Sequence, residues 1–151
     1  MPRSLPRPEF ALQWIAVFVS LAGLALIYLF QQFDYFDLIR RVVGADTDSD
    51  PNVPFIVNRT LRLILNDLLC LVLILNFFHD SRFTRVAMYV FLAELFLLLP
   101  AYLAIKLTLE GPSEISSPLL SPIHRMIVNP LLMVILIAGF YYQRWHESKA
   151  A

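Results

Sequence analysis

Residues 11–30 read ALQWIAVFVSLAGLALIYLF, twenty positions without one charged side chain. Crossing a hydrocarbon core of about 30 Å takes about 20 helical residues, so this stretch is long enough to span a bilayer as a helix. A lone spanning strand would leave its backbone unpaired in lipid, which excludes the extended alternative. Arg3 and Arg7 precede the run and small residues lie at Ser20, Ala22, Gly23 and Ala25, as in a signal peptide. The apolar run continues to Phe30, longer than a signal core, so it is retained as a helix. Working outward, three more apolar runs appear: Leu63 to Phe78 with only Asp67, Val86 to Ile105 with only Glu94, and Met126 to Gln143 with no charge. The fold class expected is all-α, an integral membrane protein with four transmembrane helices over 11–30, 63–78, 86–105 and 126–143. These form one membrane domain over 1–151, with 31–60 as a long interfacial or extramembrane connection.

Composition agrees with this class and removes several others. At 58% hydrophobic and 16% charged, with a mean hydropathy of +0.65, the chain is too apolar for an ordinary soluble domain. Twelve Lys and Arg balance twelve Asp and Glu, so no basic excess offers itself to nucleic acid. Glycines at 23, 44, 111 and 139 build neither GxGxxG nor GxxxxGK, which excludes a nucleotide-driven transporter. Asp46-Thr47-Asp48-Ser49-Asp50 begins like a calcium loop, but Pro51 stands at its sixth position and Val57 at its twelfth. His79, His124 and His146 lie in different segments without HExxH spacing, so neither a metal nor a cofactor is expected.

The connections differ in character. Phe33 to Val43 mixes aromatics, aspartates and Arg40/Arg41 as an interfacial segment does, whereas Gly44 to Pro54 is an acidic, Pro-bounded loop. Glu110 to Pro122 holds three prolines and four serines and reads as an extended cover over the membrane surface. Lys and Arg divide six against six between the two sides, and the acidic first connection and the basic turn at Arg82 and Arg85 favour cytoplasmic termini.

Whatever the orientation, the start of the second span, the end of the third and the start of the fourth share one membrane face. Along Asn58-Arg59-Thr60-Leu61-Arg62-Leu63-Ile64-Leu65-Asn66-Asp67, helical spacing places Arg59, Arg62 and Asn66 on one stripe that Cys70 continues. In His124-Arg125-Met126-Ile127-Val128-Asn129-Pro130, Arg125 and Asn129 lie one turn apart. A charged carboxylate inside a span costs roughly 2.5–3.5 kcal/mol, which nearby arginines would offset for Asp67. The expectation is a polar layer of Asn58, Arg59, Arg62, Asn66, Asp67, His124, Arg125 and Asn129, in which Arg59 or Arg62 approaches Arg125 through Asp67, Asn66 or Asn129. The plainer alternative is arginines snorkelling to phosphates. Glu94, 12 residues from Lys106 and so about 18 Å along the helix axis, is an intramembrane acid near mid-bilayer, either a hydrogen-bonded structural element or part of a polar path. Pro100 between them is expected to bend the third span.

Cys70 with His124 and Arg125 invites a thiol-enzyme reading. Depth opposes it: Cys70 lies eight residues beyond Arg62, about 12 Å deeper, while His124 belongs to the surface layer. No catalytic residue is assigned.

Three stretches carry a resemblance: Asn58 to Asp67 as quoted; His124-Arg125 followed by Asn129-Pro130-Leu131-Leu132-Met133; and Phe140-Tyr141-Tyr142-Gln143. In these the chain resembles the small membrane proteins associated with exosortase F in Bacteroidota, from the Phe33 region to Arg144. The resemblance implies a multi-pass inner-membrane accessory protein typically encoded beside an exosortase, an enzyme that processes carboxy-terminal sorting signals of exported proteins. No catalytic residues carry over, and the matched Asn, Arg and His positions carry over only as family motif. The expected function is therefore non-enzymatic: binding the exosortase, or its substrate's sorting helix, through the polar layer. The rival from another class is an intramembrane enzyme or carrier using Arg59, Arg62, Asp67, Glu94 and Arg125 on a lipid-linked or anionic substrate.

Overall fold

The computed structural model describes residues 8–44, 50–113, 117–118 and 120–150. Arg3, Arg7 and positions 46–49 of the acidic run lie outside the described residues. Every described element is helical: α1 (Pro8–Leu29), α2 (Tyr35–Val43), α3 (Asn52–Phe78), α4 (Ser81–Ala93), a π-helical turn (Glu94–Leu98), α5 (Leu99–Leu109), α6 (Ser121–Val128) and α7 (Leu131–Ala150). The chain is an all-α, multi-pass membrane protein. Three helical stretches are long and apolar enough to cross, namely Leu12–Leu29, Asn52–Phe78 and Ser81–Leu109, and α6 with α7 passes the same test as a bent pair.

Two of the expected spans change shape. The second begins at Asn52, not Leu63, so the connection over 31–60 shrinks to α2 and the segment before Pro51. Its start is favoured because Pro54 falls in the first turn, where its missing N–H costs nothing, and Asp50 accepts from the Asn52 N–H at 3.0 Å. The fourth span, expected as one helix over 126–143, is broken: α6 and α7 meet at 68° around Asn129 and Pro130. Pro130 offers no N–H to the carbonyl one turn back and pushes Asn129 to extended backbone, φ −112° and ψ 141°. Pro100 has a milder effect. The third span runs from Ser81 to Leu109, and the π turn just before Pro100 absorbs the lost bond, with the Leu99 N–H reaching the Glu94 carbonyl.

Short caps set the reversals. His79 at φ 49° ends α3, and the Asp80 side chain accepts from the Arg82 N–H at 2.8 Å to start α4. Before α3 in the chain comes α2, a short amphipathic helix with no buried residue: Leu38, Ile39, Val42 and Val43 are exposed on one side, and Asp37 pairs with Arg41 at 2.6 Å on the other. Its sequence position matches the interfacial segment expected over 33–43.

The core lies around α3, half of whose apolar window is buried against 11% for α1. Cys70, Leu71, Ile74 and Phe78 of α3 pack with Phe83 and Ala87 of α4 and with Met133 and Phe140 of α7. Phe83 stacks on Phe140 at 4.4 Å between centroids, and Phe78 meets both edge-on. A second cluster of Leu63, Leu99, Tyr102, Leu120 and Ile127 ties α3, α5 and α6 together at the other end. Helix α1 packs on α3, where a Cβ on Gly23 would come within 2.9 Å of Leu69.

Candidate functional site: a divided polar layer

The start of α3, the end of α5 and α6 adjoin one another, so the shared face inferred from the chain's crossings exists. The side chains expected to fill one layer there fall into four groups.

Asn58 faces α2. Its Oδ1 accepts from the Phe36 N–H at 2.8 Å, and its Nδ2 donates to Asp34 Oδ1 at 3.0 Å, while Asp34 also caps α2 through the Asp37 N–H. The Asn58 amide, then the Asp37 N–H, hold the Asp34 carboxyl below its ordinary value. Asn58 is thus a bracket between a surface helix and a spanning helix.

Arg59, Arg62 and Asn66 occupy the stripe that helical spacing assigns them and are almost wholly buried, at 3%, 6% and 3% exposure. The Arg59 guanidinium lies 5.2 Å from the Phe55 ring centroid, a cation–π contact one turn back along α3. Asn66 and Asn129 line a cavity of about 150 Å³ between α1 and the α6–α7 break, with Leu24, Ile27 and Val134 among its walls.

Asp67 departs from the expected bridge. Its carboxyl hydrogen-bonds to Glu94, not to an arginine, and both residues are buried, at 1% and 2% exposure. The reason is rotational: five residues at 100° each turn Asp67 about 140° away from Arg62, toward the π turn that carries Glu94. The sequence leaves Glu94 apart from this layer, and the fold joins it to Asp67.

His124 and Arg125 diverge. His124 is half-buried, and its Nδ1 is 2.6 Å from the hydroxyl of Tyr102, a buried residue on α5. Arg125 is exposed and lines a surface cavity of about 520 Å³ with Pro118, Ser121, Pro122, Met126 and Leu131. Of the three bridges expected between Arg125 and Arg59 or Arg62, Asp67 is engaged by Glu94 instead, and Arg125 itself is exposed.

The chain's crossings place Lys106 on this face, whereas Tyr102 and Glu110 join it only in the fold. Tyr102, Lys106 and Glu110 recur every four positions along α5 and its end, so they form one stripe. Lys106 has no exposed surface and donates to Glu110, which also accepts the Ser117 N–H at 2.9 Å. The Lys106 ammonium and Ser117 together hold the Glu110 carboxyl down to about 2. The serine- and proline-rich cover is thereby pinned to the helix beneath it. The i, i+4 spacing of these three was the available signal.

Cys70 packs among apolar residues and is wholly buried, whereas His124 is bonded to Tyr102. The two do not form a thiol–imidazole pair. Among the described residues, no group of three His, Cys, Asp or Glu side chains is arranged to hold a metal ion.

No family model, curated protein or solved structure matches this chain.

Proposed function

We propose that this chain is a non-enzymatic accessory protein of an exosortase-type sorting system in the bacterial inner membrane, with both termini cytoplasmic. It binds the exosortase or the sorting helix of its substrate at the membrane face where α3, α5 and α6 adjoin. The observation that carries the reading is the exposed Arg125 on the rim of the surface cavity, among prolines 118 and 122 of the cover. Buried arginines are spent on holding a bundle together. An exposed guanidinium over a membrane-level cavity suits an acidic or carbonyl-rich partner segment, which it can grip by two parallel hydrogen bonds.

The intramembrane enzyme or carrier has less support. The described lining of the Arg125 cavity includes none of Arg59, Arg62, Asp67 or Glu94, so these five side chains do not converge on one substrate space. The test is co-purification of the tagged chain with the exosortase, together with maturation of a sorting-signal protein in cells carrying Arg125→Ala. Retained binding and maturation with Arg125→Ala, at normal abundance, refute the proposed site. Reporter fusions after Ala151 and in the loop near Asn52 test the orientation, and an external carboxy terminus refutes it.

A further inference from the structure

The hydrogen bond between Asp67 and Glu94 has a chemical requirement. An ionised carboxylate only accepts, so two carboxyl groups bond to one another only with a proton between them. Their burial, at 1% and 2% exposure, takes both away from bulk water. Each carboxyl is the other's hydrogen-bond partner. No third ligand completes a metal site among the described residues. One oxygen of each, Asp67 Oδ2 and Glu94 Oε2, is buried without a hydrogen-bond partner among the described residues. Among the described residues these two acceptors face no donor, which is the condition under which a carboxyl pair takes its donor from water or a proton. The π turn begins at Glu94 itself, and single π turns inside α-helices are frequent at functional sites. The remaining titratable neighbour is Cys70, one turn further along α3, on which both carboxyls act.

We propose that Asp67 and Glu94 form an intramembrane proton-binding site, a carboxylic acid and a carboxylate sharing one proton between two spanning segments. Its ligand is H⁺, and the proton belongs to the pair, not to either residue. The site is separate from the Arg125 face, and it stands whether or not the chain serves an exosortase.

The experiment uses the full chain in an ester-free detergent at neutral pH. Infrared absorption of wild type, minus that of the double variant Asp67→Asn with Glu94→Gln, is expected to contain the C=O band of one protonated carboxyl per chain, shifting when D₂O replaces water. A hydrophobic carbodiimide supplies a second readout that needs no variant. The carboxyl O–H adds across its C=N bond, oxygen to carbon and proton to nitrogen, and the acyl group then migrates to nitrogen as a stable acylurea. Only the protonated acid reacts this way, so dicyclohexylcarbodiimide should leave one adduct per chain, mapped by peptide mass to Asp67 or Glu94. A missing acid band, or adducts confined to other carboxyls, overturns the proposal.

Discussion

Asn58→Ala removes both ends of the bracket that ties α2 to α3: the acceptor for the Phe36 N–H at 2.8 Å and the donor to Asp34 at 3.0 Å. A net intramolecular hydrogen bond is worth about 0.5–1.5 kcal/mol, and the Asp34 bond is exposed and belongs at the low end of that range. The pair together therefore stabilises the docked helix by about 1–2 kcal/mol, a factor of about 5–30 in its docking equilibrium. Because the cap from Asp34 to the Asp37 N–H survives, α2 stays helical and loosens as a unit. Hydrogen exchange of the full chain in detergent reads this directly: amides of 35–43 should lose protection by about that factor, while α3 and α4 are unchanged. Asn58→Asp should cost more at neutral pH, since it sets a second carboxylate 3.0 Å from Asp34. The pH dependence has a defined sign. Asp34 lies below its ordinary 3.8 when docked, so its contribution is complete above that value and disappears as pH falls through the lower, docked value. Asn58→Ala should abolish most of that dependence, and unchanged protection in both variants at neutral pH would refute the bracket.

Arg62→Ala deletes a buried cation and should reduce accumulation in the membrane, whereas Arg125→Ala, at an exposed site, should leave abundance intact and lower sorting-signal maturation at least about fivefold. Immunoblots of membranes beside a maturation assay separate the two, and equal effects on abundance would count against the division of the layer. Cys70→Ser should leave maturation within about twofold of wild type while costing about 1–3 kcal/mol of stability, because a hydroxyl replaces a thiol in the apolar cluster. Lost maturation at normal abundance would revive the thiol-enzyme reading. Phe83→Ala removes the ring that stacks on Phe140 at 4.4 Å and should cost about 3–5 kcal/mol, read as a lowered unfolding midpoint in detergent; a loss below about 1 kcal/mol would mean that α7 is not docked there.

The membrane class and the helical spans were legible from the chain alone, because the length of an apolar run and the backbone's need for internal hydrogen bonds are local properties. So was the Arg59–Arg62–Asn66 stripe, which follows from helical rotation. The same rotation turns Asp67 about 140° from Arg62, so opposite charge alone does not decide its partner. The break at Asn129 and Pro130 was half legible, since proline's missing N–H is written in the sequence but a 68° bend is not. Which cation is buried and which is exposed was not legible at all. Arg62 and Arg125 carry the same group at the same membrane face, and only the packing of α5 and α6 on α3 leaves one inside and the other out. The Asp67–Glu94 pair belongs to this last kind: the residues lie 27 positions apart on different spans, and no local pattern records which helix faces meet when spans pack.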